Sequence, residues 1–139
     1  MKNIMFVCYG NICRSPMAEY IFKYLTKDKY NVTSRATSTD EIGHDIYPPA
    51  KEVLDKNNIP YSKHHATQIT QSDYDTYDII VCFDTLNYDT LKRRFNDSNK
   101  VIKLCDYDID DPWYTREFDR CYKEIYEGCL ELINKIWGD

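Results

Sequence analysis

Short apolar segments alternate with longer amphipathic segments along this chain of 139 residues. Four apolar segments have the length and the β-branched or aromatic content of buried strands, and they cover residues 1–7, 31–37, 78–83 and 100–104. Between and after them, apolar residues recur at helical spacing, which predicts helices over residues 16–26, 50–56, 85–95 and from residue 116 onward. A loop with three turn-forming residues, Gly43, Pro48 and Pro49, is predicted over residues 38–49.

The order of these elements predicts the fold class. Strands that alternate with helices are typical of a parallel sheet covered by helices. We therefore expect an α/β fold in which a single doubly wound domain spans residues 1–139 and holds a four-stranded parallel sheet flanked by helices on both faces. The last helix should contact the core through one apolar stripe: Phe118, Cys121, Tyr122, Ile125, Cys129, Leu132 and Ile136.

Composition and charge narrow the class of protein. Hydrophobic residues make up 42% of the chain, charged residues 29%, and the formal net charge is −5, which fits a soluble protein and does not suggest a nucleic-acid-binding surface. The apolar run over residues 4–7 is too short for a signal sequence, and no segment approaches the length that crosses a membrane. We expect a cytoplasmic protein with neither a nucleic-acid nor a membrane partner.

The cysteines and histidines do not suggest a metal centre. The six cysteines are expected to be reduced thiols, as is usual in the cytoplasm. They include no Cys-x2-Cys pair, and the only histidines are His44, His64 and His65. The sequence therefore predicts neither a metal site nor a cofactor.

One contiguous segment, residues 8–16, carries the candidate chemistry with the sequence Cys-Tyr-Gly-Asn-Ile-Cys-Arg-Ser-Pro. It lies between the first predicted strand and the first predicted helix, where backbone N–H groups converge and the helix dipole favours negative charge. Cys8 should ionise readily there, and Arg14 can bind an oxyanion through two parallel hydrogen bonds. The segment therefore predicts a thiolate nucleophile next to a phosphate clamp, the combination that phosphate ester cleavage requires.

This segment and the later sequence Asp111-Pro112-Trp113-Tyr114 resemble the low-molecular-weight protein tyrosine phosphatase family. The resemblance runs along the whole chain. It implies a protein tyrosine phosphatase in which Cys8 attacks phosphorus and forms a phosphocysteine intermediate. It also implies that Arg14 and a phosphate-binding loop hold the phosphate oxygens, and that this loop contains Tyr9, Gly10, Asn11, Ile12, Cys13 and Ser15.

The resemblance assigns the role of general acid and base to Asp111, which would protonate the leaving phenol and then activate water. Spacing alone does not separate this residue from its neighbours Asp106, Asp108 and Asp110, because an acidic run is commonly a solvated face. Only the match to the family's Asp-Pro-aromatic-Tyr motif singles it out.

Supporting residues are expected around the loop. Asn11 can adopt the left-handed backbone conformation of a tight loop, and Ser15 can donate its hydroxyl to the nucleophilic sulfur. The resemblance implies that Ser34 and His64 complete this network. The chain departs from the family at Thr67, where an arginine is common. We expect this difference to affect the conformation of the loop that contains Thr67 and not the chemistry of the site.

Four residues can form a slot for a phosphotyrosine ring: Tyr9, Ile12, Trp113 and Tyr114. Asp40 occupies a position at which family members often have an aromatic residue. We therefore expect the slot to be open on one side and to repel substrates with acidic flanks. The expected partners are phosphotyrosine-containing proteins and a cognate tyrosine kinase.

Three other functions share the fold or the loop. Arsenate reductases of this fold use two further cysteines after the third strand, but the residue seven positions after Cys82 is Asp89. Protein arginine phosphatases carry threonine where this chain has Ile12, and isoleucine favours a flat phenol over a guanidinium. A carrier that keeps its phosphocysteine without hydrolysing it would need no acid or base, which Asp111 argues against.

A second cysteine in the loop predicts a redox-sensitive site. The tight loop brings Cys13 near Cys8, so that peroxide could convert an initial sulfenate on Cys8 into a disulfide. Such a disulfide would protect the nucleophile from irreversible oxidation.

Overall fold

The computed structural model of the chain describes residues 2–96 and 99–137, which form a parallel sheet with helices on both faces. The strands are β1 (Asn3–Cys8), β2 (Asn31–Ala36), β3 (Ile79–Cys82) and β4 (Val101–Lys103). The helices are α1 (Arg14–Thr26), α2 (Pro48–Lys56), α3 (Gln71–Thr76), α4 (Thr85–Arg94), α5 (Pro112–Thr115) and α6 (Phe118–Ile136). The predicted α/β fold with a four-stranded parallel sheet is confirmed.

The strand order fixes where a ligand can bind. The sheet runs β2-β1-β3-β4, and every pair is parallel. The chain therefore reverses its direction of travel across the sheet between β1 and β3, and ligands of open α/β sheets bind at such a switch point, beyond the carboxyl ends of the strands. Cys8 is the last residue of β1 and pairs with Ala36 at the end of β2.

Alternate residues of β1 enter two separate cores. Ile4 and Phe6 belong to the larger cluster, which includes the buried faces of α1 and α6. Met5 and Val7 belong to the smaller cluster on the other face, with residues of α3 and α4. All four side chains are fully buried, because a central strand covered on both faces exposes neither of its two sides.

The predicted apolar stripe of α6 lies in the core. Its residues are buried except Tyr122, which is partly exposed. Gly128 allows this helix to approach the segment after β4 closely, since a Cβ at this position would lie 2.7 Å from Cγ of Leu104. None of the helices in residues 2–96 and 99–137 is both long enough and apolar enough to cross a membrane.

The element boundaries differ from the predictions in physically simple ways. Helix α2 begins at Pro48, two residues before the predicted start, because proline is well suited to the first turn of a helix. Helix α1 begins at Arg14, so that the guanidinium residue lies in its first turn. The strand ends shift by one or two residues, and Met1, the predicted start of the first strand, lies outside the described residues.

Two short helices were not predicted. Helix α3 is only six residues long and is mostly polar, but Thr70 and Asp73 form a capping box at its start. Helix α5 is a single turn that is capped by the carboxylate of Asp111. Segments of this length have no apolar periodicity to detect, and both helices depend on their N-terminal caps.

Candidate active site

The loop between β1 and α1 is held from outside by hydrogen bonds to its carbonyl groups. Thr37 N donates to the carbonyl of Cys8 at 3.0 Å, and Ser38 N donates to the carbonyl of Tyr9 at 3.1 Å. His64 Nε2 donates to the carbonyl of Asn11 at 2.7 Å, and Tyr47 N donates to the carbonyl of Ile12 at 2.9 Å. Asn11 has a φ of 61°, in the left-handed region that asparagine tolerates. With these carbonyls bonded to their surroundings, backbone N–H groups are available for a central anion.

The sulfur of Cys8 accepts hydrogen bonds from this loop. Its Sγ atom lies 3.3 Å from Asn11 N, 3.4 Å from Ser15 N and 3.0 Å from Ser15 Oγ. The residue is 3% exposed. A negative charge on this sulfur would therefore be stabilised by two backbone N–H groups and one hydroxyl, since hydrogen bonds to a charged form favour that form.

The predicted residues Asn11 and Ser15 form a chain that orients the hydroxyl. Asn11 Nδ2 donates to Ser15 Oγ at 2.7 Å, and Asn11 Oδ1 accepts from Thr67 N at 3.0 Å. Since the amide nitrogen occupies a lone pair of the hydroxyl oxygen, the hydroxyl proton can be donated to the sulfur of Cys8 at 3.0 Å or to the more distant Arg35 carbonyl at 3.5 Å. Thr67, the departure from the family pattern, supports the loop through its backbone.

His64 contacts the loop, but Ser34 does not. His64 Nε2 donates to the carbonyl of Asn11, and burial lowers the pKa of this imidazole, although the hydrogen bond to Asn11 opposes the shift. The ring is therefore neutral at neutral pH, with its proton on Nε2. The Ser34 hydroxyl instead donates to Glu19 Oε1 at 2.7 Å. Ser34 therefore contacts α1 and not the hydrogen-bond network around the loop in which it was predicted.

The guanidinium of Arg14 is buried and fixed on one side. Its Nη1 donates to Asp84 Oδ2 at 2.7 Å and to the carbonyl of Ile109 at 2.9 Å, whereas Nη2 lies 3.6 Å from Asp111 Oδ2. Burial opposes the charged form, but the anionic groups of Cys8, Asp111 and Asp84 outweigh it and raise the pKa of Arg14. Among the described residues, no acceptor forms a hydrogen bond with Nε or Nη2, which leaves that edge for an oxyanion.

Asp84 was not among the predicted site residues. It is the N-cap of α4, and its Oδ1 accepts from Asn87 N at 2.8 Å while Oδ2 faces Arg14. One available signal was its position, since it follows a buried strand directly and starts a helix in the sequence Asp-Thr-Leu-Asn. The partner, Arg14, lies 70 residues earlier, and no local pattern indicates that pairing.

Asp111 lies at the mouth of the site. Its Oδ1 caps the short helix α5 by accepting from Trp113 N at 3.0 Å, and Oδ2 is the oxygen 3.6 Å from the guanidinium of Arg14. A carboxyl group in this place can exchange a proton with a ligand in the loop. Its neighbours Asp106, Asp108 and Asp110 do not line the cavity above Cys8.

A cavity of about 200 Å³ opens above the loop. It is lined by Cys8, Tyr9, Gly10, Ile12, Cys13, Asp40, Glu41, Asp111, Trp113 and Tyr114. All predicted slot residues are therefore present, and the Tyr9 hydroxyl donates to Asp40 Oδ2 at 2.7 Å. The charged side chains among the lining residues, Asp40, Glu41 and Asp111, are all acidic.

The other cysteines differ in their access to this cavity. Cys13 lines it together with Cys8, and burial raises the pKa of the Cys13 thiol. Cys82 belongs to the core on the other face of the sheet, and burial raises its pKa to about 12. Within residues 2–96 and 99–137, no group of three or more histidine, cysteine or acidic side chains is arranged to hold a metal ion.

The chain was compared with known families and structures. The family model described as low molecular weight phosphotyrosine protein phosphatase matches residues 3–139. A protein of that name from Gallus gallus is 38% identical in an alignment 145 positions long that covers 94% of this chain and 90% of the relative. The structure of SP-PTP, a low molecular weight protein tyrosine phosphatase from Streptococcus pyogenes, has a TM-score of 0.96 at 34% identity and covers 100% of this chain and 95% of that chain.

Two further solved structures share the fold. YfkJ from Bacillus subtilis has a TM-score of 0.93 at 31% identity, with 98% of this chain and 94% of that chain covered. The YwlE arginine phosphatase has a TM-score of 0.89 at 24% identity, with 98% of this chain and 96% of that chain covered. At 24% identity the likeness concerns the fold alone.

The buried His64 predicts a loss of stability at mildly acidic pH. Its pKa is lower in the folded than in the unfolded chain, so the unfolded state binds more protons and the free energy of unfolding falls as the pH drops below the ordinary histidine pKa of about 6.5. Urea unfolding on either side of that value should show a smaller pH effect for His64→Gln, which keeps a donor for the Asn11 carbonyl but does not titrate. The exposed neighbour provides the control: His65→Gln should keep most of the wild-type pH dependence, because His65 is only a minor cause of the lowered pKa of His64. An equal change in both variants would contradict the assignment.

Proposed function

The chain belongs to the low molecular weight phosphotyrosine protein phosphatase family and is therefore a protein phosphatase, and we propose that it hydrolyses phosphotyrosine esters through a phosphocysteine on Cys8. One observation carries the proposal. The Cys8 sulfur lies among two N–H groups and a hydroxyl at the bottom of a cavity, with the charge of Arg14 fixed beside it and a carboxyl group at its mouth. This arrangement provides a nucleophile, an oxyanion clamp and a proton donor.

The first step transfers the phosphoryl group to the enzyme. The Cys8 thiolate attacks phosphorus and forms an S–P bond, while the bond between phosphorus and the phenol oxygen breaks. The leaving oxygen takes the electron pair of that bond and a proton from Asp111. Arg14 binds equatorial phosphate oxygens through Nε and Nη2, because Nη1 is already bonded to Asp84 and to the Ile109 carbonyl.

The second step releases phosphate. Asp111, now a carboxylate, accepts a proton from a water molecule whose oxygen attacks phosphorus. The S–P bond breaks, its electron pair returns to sulfur, and inorganic phosphate leaves. The Ser15 hydroxyl and the loop N–H groups stabilise the returning thiolate, which makes sulfur a better leaving group.

The cavity walls favour a phosphotyrosine side chain. Trp113, Tyr114, Tyr9 and Ile12 line it, and aromatic contacts of this kind contribute roughly 0.5–1.5 kcal/mol beyond burial. A phosphoserine ester would leave these walls without a partner. Proteins that carry phosphotyrosine are thus the proposed substrates, and a tyrosine kinase that makes them is the proposed functional counterpart.

The same observations weigh against the three alternatives. Ile12 lines the cavity where a guanidinium substrate would need a smaller residue. Cys82 lies in the core on the other face of the sheet and cannot serve as the second thiol of an arsenate reductase without a large rearrangement. A carboxyl group at the mouth, Asp111, gives the phosphocysteine a route to hydrolysis that a carrier would not need.

We predict distinct kinetic effects for the proposed nucleophile and acid. Cys8→Ser should abolish hydrolysis of para-nitrophenyl phosphate and of phosphotyrosine. Asp111→Asn should lower kcat by roughly 10²–10⁴-fold with a small change in KM, since general acid catalysis typically contributes that factor. Asp110→Asn is the matched control, because this neighbouring carboxyl group is exposed and does not line the cavity.

The outcomes separate the candidate functions. Wild-type activity on phosphotyrosine that is inhibited by vanadate supports the proposal. Turnover of phosphoarginine but not of phosphotyrosine would favour an arginine phosphatase. Thiol-dependent reduction of arsenate would favour an arsenate reductase. A single stoichiometric burst without turnover would favour a phosphocysteine carrier. Equal losses in Asp110→Asn and Asp111→Asn would remove Asp111 from the mechanism.

The acidic lining predicts a preference for substrates with basic flanks. Phosphotyrosine peptides with lysine next to the phosphotyrosine should have a kcat/KM higher than matched peptides with glutamate by roughly two- to fivefold, the range that exposed ion pairs allow. The ratio should fall in Asp40→Asn, which removes the exposed carboxylate of the lining, and with rising salt, which screens that charge. Asp75→Asn, an exposed site on α3, is the control, and a ratio that Asp40→Asn leaves unchanged would contradict the prediction.

We also predict that Cys13 protects the nucleophile from oxidation. Peroxide would oxidise the Cys8 thiolate to a sulfenic acid, and the Cys13 thiol would then attack that sulfur, forming a disulfide and releasing water. The raised pKa of Cys13 should make this second step slow near neutral pH and faster at higher pH. Dithiothreitol should restore activity after peroxide treatment of the wild type but not of Cys13→Ser, and equal recovery would refute the role.

A further inference from the structure

We propose that Thr37 is a positioning residue for the phosphate-binding guanidinium and acts through Asn87 and Asp84. The proposal rests on the function proposed above, since it assigns to Arg14 the binding of a phosphoryl group. It concerns residues that do not line the cavity and do not contact a substrate there.

A continuous chain of hydrogen bonds joins Thr37 to the guanidinium. The Thr37 hydroxyl donates to Asn87 Oδ1 at 2.7 Å, and Asn87 Nδ2 donates to Asp84 Oδ1 at 2.9 Å. The other oxygen of that carboxylate, Oδ2, accepts from Arg14 Nη1 at 2.7 Å. The chain therefore leads from the residue after β2, through the first turn of α4, to the first turn of α1.

The Thr37 hydroxyl determines which way the Asn87 amide faces. While Oδ1 accepts from this hydroxyl, Nδ2 faces Asp84 and donates to it. Without the hydroxyl, Oδ1 would be a buried acceptor with no partner, which is unfavourable. The alternative orientation would place the amide oxygen against the carboxylate of Asp84, where two acceptors repel each other.

Burial makes the hydroxyl hard to replace. Thr37 is 4% exposed, Asn87 3% and Arg14 2%, so solvent does not compete for these groups in the folded chain. Asp84 Oδ1 accepts from both Asn87 N and Asn87 Nδ2. Without the side-chain donor the carboxylate is less firmly oriented, and a small rotation would move the guanidinium on its other oxygen. Arg14 would then bind phosphate oxygens with poorer geometry, although its charge would be unchanged.

Thr37 is itself well fixed, and it is connected to the nucleophile as well. Its backbone N–H donates to the carbonyl of Cys8 at 3.0 Å. Its own carbonyl accepts from Arg94 Nη1 at 2.9 Å and from Gln68 Nε2 at 3.2 Å. Thr37 is thus connected to the end of the nucleophile's strand through its backbone and, by way of Asn87 and Asp84, to the guanidinium through its side chain.

The test compares a substitution that removes the hydroxyl with one that keeps it. Thr37→Val keeps the shape of the side chain and removes the donor, whereas Thr37→Ser keeps the donor. Vanadate affinity, kcat and KM for para-nitrophenyl phosphate are measured under conditions in which circular dichroism shows each variant to be fully folded. Thr26→Val is the matched control, since Thr26 is also buried and donates its hydroxyl to the Phe22 carbonyl, but at the opposite end of α1 from Arg14.

We expect Thr37→Val to bind vanadate roughly tenfold more weakly and to lose about the same factor in kcat/KM, mainly through kcat. This loss is smaller than the roughly 100-fold decrease in rate that a displacement of about 1 Å can cause. Thr37→Ser should stay close to the wild type. Thr26→Val should lose stability without losing vanadate affinity. If Thr37→Val does not fold, Asn87→Asp tests the same chain, because a second carboxylate would repel Asp84, and it should also weaken vanadate binding.

A second background tests whether the effect passes through the guanidinium. In Arg14→Lys, which keeps the charge but lacks the planar fork, Thr37→Val should cause little further loss of vanadate affinity, since coupled residues are not additive. The inference is overturned if Thr37→Val binds vanadate as tightly as Thr26→Val does, or if its effect is undiminished in Arg14→Lys. A wild-type protein that neither hydrolyses phosphotyrosine nor binds vanadate would instead refute the proposed function itself.

Discussion

The buried charge of Arg14 is the constraint on which the rest of the site depends. Removing a guanidinium from water costs several kcal/mol even after relaxation, and the cost must be offset by fixed partners. Asp84 and the Ile109 carbonyl provide them, and they follow β3 and β4 respectively. The pair therefore ties the start of α1 to two other segments at the carboxyl edge of the sheet. Taking away one partner of such a pair typically destabilises a protein by about 3–5 kcal/mol, so the clamp contributes to both folding and ligand binding.

The distribution of charge in the site explains how an acidic protein can bind a dianion. The chain has a formal net charge of −5, and three carboxyl groups line the cavity. The positive charge is held on the buried guanidinium, and the N–H groups of Asn11 and Ser15 point toward the sulfur of Cys8. Fields of this kind act over a few ångströms, and exposed charges farther away are screened over about 8–10 Å at ordinary salt. A phosphate on a long, flat side chain reaches the positive region, whereas acidic residues around it stay near the negative rim.

The sequence predicted what depends on contiguous residues and missed what depends on distant pairs. The fold class follows from strand and helix periodicities, and Cys8, Asn11, Ser15 and Arg14 lie within eight positions of one another, so their grouping could be recognised before folding was considered. Asp84 meets Arg14 across 70 positions, and Thr37 meets Asn87 across 50. Such contacts are made by the order of the strands, which brings the ends of β1, β2 and β3 together. Helices α3 and α5 escaped prediction because a cap, not an apolar stripe, determines each of them.

The chain departs from the family pattern at Thr67 and at Asp40, and the two departures have different consequences. Thr67 makes its contact through the backbone, whereas Asp40 makes its contact through the side chain. At position 67 the loop is supported by a backbone N–H that donates to the Asn11 amide, and every residue except proline has that donor. The side chain there can change from arginine to threonine without removing the contact. At position 40 the carboxylate of Asp40 itself lines the cavity and accepts a hydrogen bond from the Tyr9 hydroxyl. A change there alters the surface that a substrate meets, so specificity, and not the chemistry of the loop, is where this chain should differ from its relatives.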